Sequence, residues 1–167
     1  LAFDEALYRN VFNNAPIGIA IVEDKQFVTQ SQYSNMTMNP MFERILGRSN
    51  HELSVISWPE ITVAEDLQVD LEQFAQFKAG KINGYVMEKR FIRPDGATIW
   101  TNMIISQLSP SPDRRFVHLC LLEDISTRKE IEHALRESER SKSVLIANLP
   151  GMAYRCRYDR AWTMLFV

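Results

Sequence analysis

GYVMEKRFIRPDGATIW, residues 84–100, reads as two antiparallel strands around a tight turn. Pro94 presets φ and Gly96 tolerates positive φ, so the turn falls between strands at 84–93 and 98–108. The second strand is dense in β-branched and aromatic residues, Thr98, Ile99, Trp100, Thr101, Ile104 and Ile105. Ser109, Pro110, Ser111 and Pro112 break it before a third strand at 115–124. Residues 116–122, FVHLCLL, are too uniformly apolar for a strand with one wet face, so both faces of this strand should be covered. It ends in DIST, residues 124–127, where Thr127 and Glu130 have capping-box spacing and start a helix as soon as the strand stops.

Upstream, residues 3–14 carry Leu7, Tyr8, Val11 and Phe12 at helical spacing and need a surface to lie on; Pro16 follows the helix. A strand at 17–22 leads into a polar stretch at 23–35 and then into Met36-Thr37-Met38-Asn39-Pro40. Phe42, Ile45 and Leu46 then face inward on a short helix that Gly47 terminates. Ser49 with Glu52 and Thr62 with Glu65 are two further capping boxes, and Trp58-Pro59 interrupts the chain between them. The second of these boxes opens a helix at 64–79 with Leu67, Leu71 and Phe74 on one face. Two strands, several short helices and three antiparallel strands make an α+β domain: one five-stranded sheet with helices on one face.

The stretch from Phe91 to Trp100, and Asp124-Ile125-Ser126 after it, resemble the strand-turn-strand signature and the Asp-Ile-Thr ending of the PAS sensor domains with their C-terminal PAC motif. The likeness covers about residues 3–130 and divides the chain into a cap helix at 1–16, a PAS/PAC domain at 17–127 and a linker helix at 128–148; it makes 36–40 the second strand and the polar stretch at 23–35 an insertion where the family usually has a tight hairpin. Asn148-Leu-Pro150 before Gly151 echoes Asn14-Ala-Pro16, so residues 149–167 look like the beginning of a second such domain. The resemblance implies a ligand cavity between sheet and helices. Strand alternation puts Met87 and Phe91, Thr101 and Met103, and His118, Cys120 and Leu122 on single faces of their strands; with Trp58, Leu71 and Phe74 opposite, these are the candidate lining. A filled core without ligand is the alternative. Flavin-photoadduct members carry an Asn-Cys-Arg motif where this chain has Ser49-Asn-His-Glu52, and haem-binding members commonly use a histidine on the long helix, where 64–79 has none. A noncovalent flavin or a small metabolite stays open.

The resemblance further implies a regulatory, non-catalytic module of a bacterial multidomain signalling protein. Asp124, Ile125, Ser126 and Thr127 would transmit a change into the linker helix, with Asp124 either capping that helix or pairing with Arg90 or Lys89. The effector, a cyclic-di-GMP synthesis or hydrolysis domain or a histidine kinase, would lie in the same chain. The linker helix carries Ile131, Leu135, Leu145 and Leu149 on a seven-residue stripe, and homodimerisation is expected. The rival is a ligand-free interaction module using the N-terminal helix and an outer sheet face of Trp100, Ile104, Leu119 and Leu121.

Composition agrees with this frame. A net charge of −2 in 167 residues offers no electrostatic attraction for nucleic acid or an anionic membrane surface. Cys120 and Cys156 lie in separate apolar segments and read as reduced thiols of a cytosolic protein. His51, His118 and His133 sit in different elements, so no zinc site is expected, and no nucleophile-elbow, Walker or dinucleotide-binding motif occurs.

Overall fold

The computed structural model describes residues 2–24, 35–108, 116–148, 155–156 and 164–165. It divides into two compact units, Leu1–Ser126 and Thr127–Val167. The first is built on an antiparallel sheet of β1 (Gly18–Asp24), β2 (Asn35–Met38), β3 (Gly84–Ile92), β4 (Thr98–Gln107) and β5 (Phe116–Asp124), in the order β2-β1-β5-β4-β3. The apolar run at 116–122 therefore is the middle strand, paired with β1 through Ala20↔Cys120 and with β4 through Ile105↔Cys120. The β3-β4 turn forms at the expected residues: Gly96 takes φ +82°, and Asp95 Oδ1 accepts from Ala97 N–H at 2.9 Å.

Between β2 and β3 run α2 (Pro40–Leu46), α3 (Asn50–Val55), a 3-10 turn (Trp58–Ile61) and α4 (Ala64–Lys78). Phe42, Ile45 and Leu46 enter the core with Ala20, Val22, Phe91, Met103, Ile105 and Leu122. Gly47 ends α2 in the left-handed region at φ +65°, and Ser49 and Glu52 form their capping box. The box expected at Thr62 does not form. The N-cap of α4 is Val63, while the Thr62 hydroxyl donates to Trp58 O at 2.8 Å; Ser57 and Glu60 make a box around the 3-10 turn instead.

Asn39 fastens this unit. It is fully buried, with Oδ1 accepting from Ile19 N at 2.8 Å and Phe42 N at 3.0 Å. Its Nδ2 donates to Phe12 O at 3.0 Å and Ile17 O at 2.9 Å. One side chain thus ties the C-terminal end of α1 (Ala2–Asn14) and the start of β1 to the cap of α2. Of the apolar positions expected to seat α1, Phe12 alone is buried; Leu7, Tyr8 and Val11 are exposed, because this single residue and the Asn39 bond supply the attachment.

The second unit contains most of α5 (Ser126–Asn148) and a two-residue antiparallel pair, β6 (Arg155–Cys156) with β7 (Met164–Leu165). Among the described residues no helix is long and apolar enough to cross a membrane. The polar insertion, apart from its ends in β1 and β2, and most of 149–167 lie outside the described residues.

Candidate functional site

The inner face of the sheet and the helices over it enclose a cavity of about 80 Å3. Trp58 from the 3-10 turn, Phe74 from α4, Phe91 from β3, Met103 from β4 and His118 and Cys120 from β5 all line it. Thr101 and Leu122 are fully buried but lie in the packed layer beside the cavity, and Met87 packs half-buried against the core. Leu71, expected in the lining, is 40% exposed and does not line the cavity. The face that α4 turns inward runs through Asp66, Leu67, Asp70, Gln73, Phe74 and Phe77, so that Asp70 rather than Leu71 occupies its centre.

Asp70 meets Lys89 of β3, and both side chains are 1% exposed. Lys89 Nζ donates to Asp70 Oδ2 and, at 3.2 Å, to Thr62 Oγ1; the Tyr85 hydroxyl donates to Asp70 Oδ1 at 2.9 Å. The ammonium also lies 4.8 Å from the centroid of Trp58 and 4.1 Å from that of Phe91, where ring quadrupoles favour a cation. Burial depresses the Lys89 pKa below the ordinary lysine range, against the opposing pull of Asp70. The charged and hydroxyl groups of Asp70, Lys89 and Tyr85 are thereby engaged with one another, and the rest of the wall is dominated by Val22, Met36, Leu53, Ile56, Met103 and Ile105. The signal for this pair was present in the sequence as opposite charges at inward positions of two elements, Lys89 between Met87 and Phe91 and Asp70 four residues before Phe74.

His118 packs its ring edge-on against Phe74 and Phe77, 5.8 Å from each. Burial pushes the Cys120 thiol up from 9.0 to about 12. Since the thiolate is the reactive form, its population at neutral pH falls. We expect Cys120 in the folded protein to resist a disulfide reagent at pH 7.5 on the timescale at which it reacts in urea. Mass mapping of the labelled peptide checks this, and equally fast labelling in both conditions would contradict the burial. Among the described residues no group of three histidine, cysteine or acidic side chains could hold a metal ion.

At the exit of the sheet, Asp124 Oδ1 accepts from Ser126 N–H at 2.9 Å. The alternative partners both reach α4 instead: Lys89 goes to Asp70, and Arg90 makes a fork with Asp66 through Nε and Nη2, both at 2.9 Å, and extends to Glu65 at 3.2 Å. Arg90 holds the Asp66 carboxyl below the usual carboxylate range by these hydrogen bonds. Helix α5 starts at Ser126, so Thr127 lies within its first turn rather than capping it. Ile125 N donates to Trp100 O at 2.9 Å, and the Ser126 hydroxyl accepts from Trp100 N at 3.1 Å. These two bonds carry the β4-β5 pairing past its last register pair, Thr101↔Asp124, into the helix start.

Comparison with known proteins matches this architecture. The probable diguanylate cyclase DgcE of Escherichia coli is 28% identical over 147 residues, 88% of this chain and 12% of that protein. The sensor histidine kinase TmoS of Ectopseudomonas mendocina is 25% identical over 137 residues, 82% of this chain and 13% of that protein. The chain therefore spans about an eighth of either relative. A crystal structure of a sensory box histidine kinase/response regulator from Burkholderia thailandensis superposes with a TM-score of 0.59 at 22% identity, covering 81% of this chain and 97% of that one. The family profile described as the PAS fold matches residues 35–120, from β2 through the helices over the cavity to the first half of β5, and the chain belongs to that family.

Proposed function

We propose that residues 17–127 act as the sensory domain of a longer signalling protein, in which a small ligand or a partner alters the packing of α4 on β3. The change passes through Asp124, Ile125, Ser126 and Thr127 into the linker helix at 128–148. The module itself is non-catalytic; a diguanylate cyclase-type or histidine kinase effector elsewhere in the chain supplies the activity, as the names of the relatives suggest. The carrying observation is the cavity, bridged by a buried ion pair between α4 and β3 and walled in part by the central strand that runs directly into a helix.

The cavity also favours a class of occupant. Its two charges cancel, so an ionic ligand would bring an uncompensated buried charge, at a cost of several kcal/mol. About 80 Å3 is well below the roughly 300 Å3 at which drug-sized ligand sites begin. A small uncharged molecule fits as the cavity stands; a flavin requires the walls to move. The same smallness favours the second reading, a ligand-free dimerisation module using the half-buried outer face of Trp100, Ile104, Leu119 and Leu121.

A native mass spectrum and an absorbance spectrum of freshly purified protein separate the two. A bound small molecule that leaves on denaturation supports sensing. A ligand-free dimer contradicts the sensing of a bound ligand and supports the interaction module.

A further inference from the structure

Helix α4 carries two aspartates one turn apart, and each holds one of two consecutive residues of β3. Asp70 takes the Lys89 ammonium inside the cavity. Asp66 takes Arg90 three times over: Oδ2 accepts from the backbone N–H at 2.8 Å and from Nε at 2.9 Å, and Oδ1 from Nη2 at 2.9 Å. Successive strand residues point to opposite faces, so these two contacts hold β3 from both of its faces. Arg90 can reach α4 from the outer face because β3 is the edge strand of the sheet.

Arg90 lies opposite Trp100 in the β3-β4 register, and its guanidinium sits 5.1 Å from the centroid of the Trp100 ring. Trp100 is also the residue whose backbone N–H and C=O both bond the start of α5, through Ser126 Oγ and Ile125 N. A second tie runs alongside, the Thr101 hydroxyl donating to Lys89 O at 3.1 Å. The cavity's ion pair and the helix start are thus joined by a continuous series of bonded residues.

We propose that Asp66, Arg90 and Trp100 form a positioning unit that makes the start of α5 depend on the state of the Asp70-Lys89 pair. The inference rests on the sensory reading and names the residues through which it would work. A physical coupling of this kind requires an element with two arrangements that both sites bias, and the α4-β3 grip is that element. Asp66 and Arg90 touch no ligand in this scheme; they act through Trp100.

The test is a four-protein cycle on the full 167-residue chain: wild type, the cavity variant Asp70→Leu with Lys89→Met, Asp66→Asn, and all three substitutions together. The readout is the exchange rate of the Ile125 amide, corrected for global stability by each protein's urea midpoint. The cavity variant is expected to change that rate about five- to tenfold in the wild-type background and by less than about twofold with Asp66→Asn. An equal change in both backgrounds overturns the positioning unit while leaving cavity-to-helix coupling intact. No change in either background overturns the unit and the transmitting reading together. Should Asp66→Asn fail to fold, Arg90→Lys takes its place, since it keeps the charge and removes the planar fork, with the same expectations.

Discussion

Asn39→Asp is expected to be among the most destabilising near-isosteric changes in the domain, costing more than about 3 kcal/mol at pH 7.5. The side chain is fully buried, and its amide nitrogen donates to the carbonyls of Phe12 and Ile17. A carboxylate would replace the two N–H donors with an acceptor oxygen aimed at those carbonyl oxygens, in a site shut off from solvent. Burial would raise the new carboxyl's pKa in the folded state above its unfolded value. Between the two values the folded state holds more protons than the unfolded, so stability lost at neutral pH is partly regained as pH falls. Urea unfolding at pH 5 and pH 7.5 checks both halves of the expectation. A loss below about 1 kcal/mol, or one independent of pH, would mean that Asn39 is not the fastener described here.

Asp70→Ala and Lys89→Ala are each expected to cost about 3–5 kcal/mol, because either leaves a buried charge without its partner. Asp70→Leu combined with Lys89→Met should cost far less than the two separate truncations together, since removing both charges also removes both desolvation penalties. Thermal or urea unfolding of the three proteins gives the comparison directly. Additive losses would show that the pair does not interact and that the cavity's charges are not balanced against each other.

The sheet was legible because its decisive signals are local. Pro94 and Gly96 announce a turn, and residues 116–122 are too apolar for a strand with one wet face. The pleat alone puts His118 and Cys120 on one face of their strand, and the family resemblance turns that face toward the helices, where both line the cavity. The cavity's polar centre was not legible by the same route. Apolar spacing alone turns α4 onto Leu67, Leu71 and Phe74, whereas Asp70 occupies the buried line and meets Lys89, 19 residues later, from the strand. The caps went similarly: Ser49 and Glu52 pair as spaced, but the Thr62 hydroxyl is taken by Trp58 O and by Lys89. At 124–127 the sequence located the junction but left Asp124 with two roles. The cap on Ser126 is the one observed, and the partner strand's hold on the helix comes from the backbone of Trp100, which no side-chain pattern reveals.

The central idea is that the cavity and the helix start belong to one switching element. Relaxation-dispersion NMR on the methyl groups of Met103 and Ile105, which line the cavity, and on the amides of Trp100, Ile125 and Ser126 measures this most directly. One shared exchange rate and one shared minor-state population across both groups of nuclei is the expected result. Separate rates, or exchange at the methyls with none at the helix start, would contradict it.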